Sequence, residues 1–592
     1  MLKKFFLNIL SSFVGAWIAF VLLAVGFILF VFGMIGSFTN KESASLKSHS
    51  ILRLSLEGAI EETESNSGFD YTILMNGKIE QPQILKNLVA ALEKASVNSD
   101  IDALFIECCG VSAAPATLNA LRKAIINFKK SGKRVYAYGD NLTMGDYYVA
   151  TVADELFLNP AGSLNLQGIS GTTLYMKDLL DKVGIEMQTV RVGNFKSAIE
   201  PYTSNHMSEA AKLQLDSLYN DMWGYILEGI SESRKVRATT VDSLVNRLIF
   251  LDEASTAKKY KLVDDCLYYR EAAKILADYV GEDIEDLNFV KPETLLGPIT
   301  ENPESDNQIA VLYAAGEIGE FEGAGINCHS LVPIIVKLAE KDEVKGMVLR
   351  VNSPGGSVFG SEQIGEALDY FQSKGKKLAV SMGDYAASGG YWISARADKI
   401  YADPLTITGS IGIFGMVPNV SGLVGKLGLH PQTVSTNPGV VFPSIFYPMT
   451  SEQTAALQAN VERGYEKFIQ RVANGRHKSV DYIKNIAEGR VWSGMEGLKI
   501  GLVDELGNLN DAISWVKKST KLEKANIVCY PLYEPSIWNI ITSSTFSESQ
   551  ELKGIVERLK GESIDQKVID WITLILNRNH LQATSPYYKI SL

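Results

Sequence analysis

Ser388 stands in the stretch AASGGYWISA, between a strand-like run and a run from Tyr391 through Ala397 that favours a helix. A serine at a helix N-terminus meets free backbone amides and the positive end of the helix dipole, and both stabilise negative charge. That setting suits an activated hydroxyl, and it suits an ordinary N-cap serine as well. Upstream, RVNSPGGS from Arg350 ends a strand in a Pro-Gly-Gly turn. Gly355 and Gly356 allow backbone conformations that other residues resist. The N–H of Gly355 could therefore join that of Gly389 in an oxyanion hole; a plain turn is the other reading. A nucleophilic serine needs a base. None of the six histidines, His49, His206, His329, His430, His477 and His580, lies in a motif tied to Ser388, although His206 closely follows a second notable segment. That segment is VGNFKSAIEPYTS, which contains Lys196. A lysine acts as a base only when neutral, and its ordinary pKa of about 10.4 falls by several units when it is buried among apolar groups. Phe195, Ala198 and Ile199 supply an apolar local setting. The competing reading of Lys196 is a solvated surface lysine.

The elements that must hold these residues occur twice. GDNLTMGDYYVATVADELFLNP, from Gly139, aligns without a gap with GDYAASGGYWISARADKIYADP, from Gly383, and Ser388 faces Met144. DIDALFIECCG at Asp100 matches EVKGMVLRVNS at Glu343, and SNHMSEAAKLQL at Ser204 resembles YPMTSEQTAALQ at Tyr447. The matches keep one order, which indicates a tandem duplication of a domain of ordinary size. The second copy's STNPGVVFPSIFYPMTS has no lysine where the first has Lys196. One copy has lysine without serine and the other has serine without lysine, as expected if a single site draws on both. Within the second copy QIAVLYAA, GMVLRVN and KLAVSM read as strands, separated by SLVPIIVKLAEKD and SEQIGEALDYFQSK, whose apolar spacing is helical. The alternation predicts an α/β fold with a mainly parallel sheet and crossover helices. The predicted domains are residues 51–299, with the lysine, and residues 300–535, with the serine; TENPESDN marks the boundary. Residues 536–592 form a helical tail with two amphipathic patterns, GIVERLK and VIDWITLIL.

Net charge is −11 with acidic and basic residues interspersed, so no basic stripe points to nucleic acid. Five cysteines, Cys108, Cys109, Cys266, Cys328 and Cys529, lack metal-ligand spacing and read as small buried apolar residues. After Lys3 and Lys4, the stretch Phe5–Phe38 carries no charge. About 20 apolar residues span a bilayer, so residues 1–40 are expected to form an uncleaved transmembrane signal anchor. The lysine pair favours a cytoplasmic N-terminus, with the bulk of the chain on the far side of the inner membrane.

Taken together, FKSAIEPYTS, RVNSPGGSV, MGDYAASGGYWIS and TGSIGIFG, with the N-terminal anchor, resemble the long, duplicated form of the signal peptide peptidase A (protease IV) family. The resemblance implies that each repeat adopts a crotonase-like, Clp-protease-like fold. It implies a Ser/Lys dyad with Ser388 as nucleophile and Lys196 as general base, Ser410 orienting the lysine amine, and oxyanion-hole amides from Gly355 and Gly389. It also implies a homotetramer on the membrane that cuts hydrophobic signal-peptide remnants without metal or other cofactor. Phe195 departs from the tyrosine expected before the lysine. Two other readings stand beside this one: a non-catalytic, membrane-anchored scaffold of crotonase-like domains, and a peptidase with His206 as base.

Overall fold

The computed structural model describes residues 46–63, 82–296, 305–321, 323, 325–437 and 441–531, together with the strand Gln582–Thr584. The anchor segment Phe5–Phe38 and the tail patterns GIVERLK and VIDWITLIL lie outside the described residues. Among those described, no helix is long and apolar enough to cross a membrane.

The first repeat alternates β1 (Ser50–Glu61), α1 (Leu85–Val97), β2 (Ile101–Ser112), α2 (Pro115–Lys129), β3 (Arg134–Gly139), α3 (Met144–Ala150) and β4 (Glu155–Leu158). It continues through β5 (Glu186–Val192), the long α4 (Glu209–Arg234) and α5 (Tyr269–Val280). The strands β1, β2, β3 and β4 pair in parallel in that order. The second repeat runs β6 (Gln308–Ala315), α6 (Cys328–Glu340), β7 (Val344–Ser353), β8 (Gly355–Ser357), α7 (Val358–Ser373), β9 (Lys377–Ala387), α8 (Gly389–Ser394) and β10 (Lys399–Ala402). It ends with β11 (Ile407–Gly409), β12 (Ile413–Asn419), α9 (Ser451–Arg476), β13 (Val491–Ser493), α10 (Leu509–Ser519) and β14 (Asn526–Tyr530). Its main sheet has the order β13-β11-β9-β7-β6-β14, with β10 also on β9, and is parallel except at β11–β13.

Both sheets are covered on both faces, which is why their strands are nearly continuous apolar runs. In the second repeat α6, α7 and α9 pack on one face and α10 on the other. Helix α7 shows the cause: Ile364, Ala367, Leu368 and Phe371 fall on one stripe and are buried, and Ser357 caps its start by accepting the Gly360 N–H. The duplication extends to helix ends. Helices α4 and α9 each have 26 residues, each starts at a hydroxyl cap (Ser208, Thr450), and each stops at a left-handed residue (Lys235, His477).

A third sheet joins the copies. β5 of the first repeat pairs antiparallel with β12 of the second, Val192 opposite Ile413 and Glu186 opposite Asn419. The C-terminal strand β15 (Gln582–Thr584) lies antiparallel between β8 and β12. Polar contacts fix the seam elsewhere. Arg350 of β7 pairs with Glu62 at 2.8 Å, both groups less than a tenth exposed. Asp384 accepts the Thr117 N–H and hydroxyl at the start of α2, both at 2.8 Å. Asp403 takes Asn119 Nδ2 at 2.8 Å and Lys123 Nζ at 2.9 Å. Such buried pairs add less net stability than registry, because leaving either partner alone is costly.

The cysteine expectation needs correcting. Cys108 and Cys328 are buried, but Cys109 and Cys529 are exposed and Cys266 is intermediate; all five are free thiols. Cys109 follows Cys108 on one strand and so points to the opposite face, and Cys529 sits on the edge strand β14.

Candidate active site

The β5–β12 pairing brings the two halves of the chemistry together. Lys196 lies just beyond the end of β5 and Ser410 just before the start of β12, and Val192 and Ile413 are register partners. Ser388 joins them from β9, whose Ala387 is opposite Gly409 of β11, and its N–H donates to Gly409 O at 2.8 Å. Within this one chain Lys196 Nζ is 2.8 Å from Ser388 Oγ, 3.0 Å from Ser410 Oγ and 3.3 Å from Ser410 O. All three residues are fully buried. The surface-lysine reading of Lys196 therefore does not describe this fold.

Ser388 precedes the first residue of α8 at φ +57°, ψ −117°, and its side chain makes no cap hydrogen bond. A non-glycine residue at positive φ is strained. Here the strain turns the hydroxyl away from the helix amides and toward the lysine, as at a strand-to-helix nucleophile elbow. Ser410 is held the same way at φ +52°.

Burial sets the state of the amine. Removal from water pushes the Lys196 pKa down from 10.5 to about 7, and desolvation is the cause. No carboxylate pairs with it among the described residues; Ile199 nearby packs on Phe414 and Met416. A neutral amine has one lone pair and two N–H groups. The lone pair fits the Ser388 O–H, and the N–H groups fit Ser410 Oγ and Ser410 O. Replacing Ser410 with alanine removes one acceptor from the amine and is expected to lower kcat by about tenfold to a hundredfold with little change in thermal stability; steady-state kinetics beside a thermal melt checks this.

Gly355 and Gly389 meet as backbone on backbone. A Cβ on Gly389 would lie 3.2 Å from Gly355 Cα and 2.6 Å from Ser361 Oγ, so any side chain there would press on both. The Gly389 amide belongs to the first turn of α8, which a helix leaves without an internal acceptor. The Gly355 N–H donates to Ser353 Oγ at 3.2 Å. Ser353 was not singled out in the sequence, though it sits inside RVNSPGGS. His206 is exposed. It lines a cleft of about 500 Å³ with Arg191, Glu200 and Gln458, a cleft that Ser388 does not line.

The first repeat's counterpart is closed. Met144 begins α3 where Ser388 precedes α8, and Thr143 caps it in a capping box with Asp146. The Asp146 carboxylate is fully buried and accepts the Val111 N–H at 3.1 Å, at the end of β2.

Comparison with known proteins points to a peptidase family. A family model described as peptidase family S49 matches residues 127–282 and 370–523, once in each repeat. The chain belongs to peptidase family S49. Among relatives of this S49 peptidase, Protease 4 of Haemophilus influenzae is 35% identical over 517 residues, covering 84% of this chain and 82% of that protein. Protease 4 of Salmonella typhi is 33% identical, covering 78% and 76%. The chloroplastic serine protease SPPA of Arabidopsis thaliana is 27% identical, covering 86% and 76%. The S49 peptidase is thus a serine peptidase of the protease IV type with a duplicated domain in one mixed α/β chain, and the scaffold reading is set aside.

Proposed function

We propose that this serine peptidase is a membrane-anchored endopeptidase with two crotonase-like domains that degrades hydrophobic signal-peptide remnants through a Lys196/Ser388 dyad. One observation carries the reading: a fully buried lysine amine 2.8 Å from a buried serine hydroxyl. A buried amine without a counter-charge destabilises a fold, and groups so perturbed concentrate where chemistry needs them. Neutral Lys196 takes the Ser388 proton as Oγ attacks the peptide carbonyl. The carbonyl oxygen displaces the Ser353 hydroxyl from the Gly355 N–H and gains the Gly389 N–H, which stabilise the developing oxyanion. The lysine ammonium, oriented by Ser410, then protonates the leaving amine, and water, deprotonated by the same amine, hydrolyses the acyl-enzyme.

The substrate's shape follows from the shared sheet. The slot between β8 and β12 admits one extended antiparallel strand, since Gln582–Thr584 occupies it with Thr584 opposite Gly355. A peptide in that slot lies with its backbone beside Gly355 and α8. The charge-free N-terminal stretch supports a site beside a membrane, on the extracytoplasmic side of the inner membrane, where cleaved signal peptides remain. The resemblance to the long, duplicated protease IV family implies a homotetramer. Full-length protein in lipid vesicles is expected to cleave a synthetic signal peptide at least about tenfold faster than a polar peptide of equal length, as apolar burial favours the former. Equal rates for both peptides, read by mass spectrometry, would refute the substrate class.

A further inference from the structure

A turn that carries no chemistry of its own lies between the two halves of the site. Glu488 and Gly489 both adopt left-handed backbone, φ +53° and +77°. The turn grips the lysine segment on one side: Phe195 N–H donates to Glu488 O at 2.9 Å, and Asn194 Nδ2 donates to Glu488 Oε2 at 2.9 Å. It grips the Ser410 segment on the other: Ser410 N–H donates to Arg490 O at 2.7 Å and Gly489 N–H to Ile411 O at 2.8 Å. Gln214 adds a second tie, donating to Phe195 O at 3.4 Å and accepting the Val491 N–H at 2.7 Å. The Arg490 guanidinium is stacked between two rings, 5.2 Å from the Phe195 centroid and 4.1 Å from that of Trp492.

At Gly489 the turn comes against the lysine residue itself. A Cβ there would lie 2.7 Å from Lys196 Cβ, 2.8 Å from its N and 2.9 Å from its Cα. Backbone rests on backbone, with no flexible side-chain end to give way. We propose that the Glu488–Arg490 turn is the positioning element of the dyad, a spacer that fixes the Lys196 backbone relative to Ser410 and so holds the amine at Ser388, with Gly489 and Arg490 as positioning residues. This rests on the Lys196/Ser388 reading. Phe195 has a place in it: the ring before the lysine is one face of the guanidinium stack.

The glycines supply a matched control. Gly375 has φ +76° but nothing within 4 Å of its would-be Cβ. Alanine at Gly375 and at Gly489 therefore carries the same backbone strain, and only the second pushes on the lysine. Full-length Gly489→Ala, Gly375→Ala and Lys196→Met are compared by kcat, KM and thermal melt on a hydrophobic fluorogenic peptide from pH 5 to 10. Gly375→Ala is expected to match the parent. Gly489→Ala is expected to lose ~100-fold in kcat, the scale of an ångström-sized misplacement, with KM within about twofold and the activity midpoint moved to higher pH as water reaches the displaced amine. Activity of Gly489→Ala within about threefold of Gly375→Ala, beside an inactive Lys196→Met, overturns the positioning role alone. An active Lys196→Met overturns the dyad and this inference with it. If Gly489→Ala does not fold, Arg490→Ala decides: it keeps the backbone spacer and empties the stack, and about tenfold lower kcat with the same upward shift is expected. An unchanged kcat and midpoint there overturns the proposal.

Discussion

Alanine in place of Ser388 is expected to abolish peptide hydrolysis while leaving the fold untouched. The expected loss in kcat is at least ~10⁴-fold, the scale seen when a member of a nucleophile–base unit is removed. The side chain makes no cap bond to α8, so its loss unties no secondary structure. Alanine keeps the Cβ and hence the same positive-φ backbone, and the residue's main-chain bonds to Gly409 and Trp392 remain. A melt and a gel-filtration profile matching the parent, with no cleavage product by mass spectrometry, is the predicted result. Cleavage within about tenfold of the parent would mean that another group attacks the carbonyl.

Methionine in place of Lys196 is expected to remove activity and to raise stability. The unfolded lysine titrates near 10.5 and the folded one near 7. Between those values the unfolded chain holds one more proton, so stability rises with pH through that window. The penalty is full below pH 7 and gone above 10.5. At 1.36 kcal/mol per unit the shift amounts to roughly 5 kcal/mol. Methionine has similar length and no charge, so denaturant melts at pH 6 should show the variant more stable by on the order of 3 kcal/mol, with the gap closing by pH 10. Equal stabilities at pH 6 would mean that the amine is not desolvated. This is a trade of stability for function: the group that weakens the fold is the one that hydrolysis needs.

Much of the site was legible because its residues differ between two otherwise similar copies. Ser388 facing Met144 and Lys196 facing a lysine-free stretch mark a difference of chemistry against a common background, and the parallel α/β elements followed from apolar periodicity. What joins them was not legible. The β5–β12 pairing is antiparallel and crosses from one repeat to the other, whereas each repeat's own periodicity speaks only of its own sheet. The Glu488–Arg490 turn acts through main-chain bonds and close backbone approach, which leave little trace in side-chain type; a Gly-Arg pair before a strand was its one signal. Cys109 and Cys529 were misjudged because residue type alone does not tell which face of a strand, or which edge of a sheet, a thiol will occupy. The burial of Asp146 against the end of β2 was not legible either, since a buried carboxylate is the exception among aspartates.

The most direct test of the central claim is the pH dependence of covalent labelling of Ser388 by a fluorophosphonate, in the parent and in Lys196→Met. Labelling needs only the nucleophile and its base, so substrate docking and product release drop out. The account predicts a rate that rises with pH through a midpoint near 7 in the parent, as Lys196 loses its proton, and labelling with no such midpoint and at least ~100-fold slower in the variant. A midpoint near 7 that survives the loss of Lys196 would show that the proton leaves Ser388 by another route.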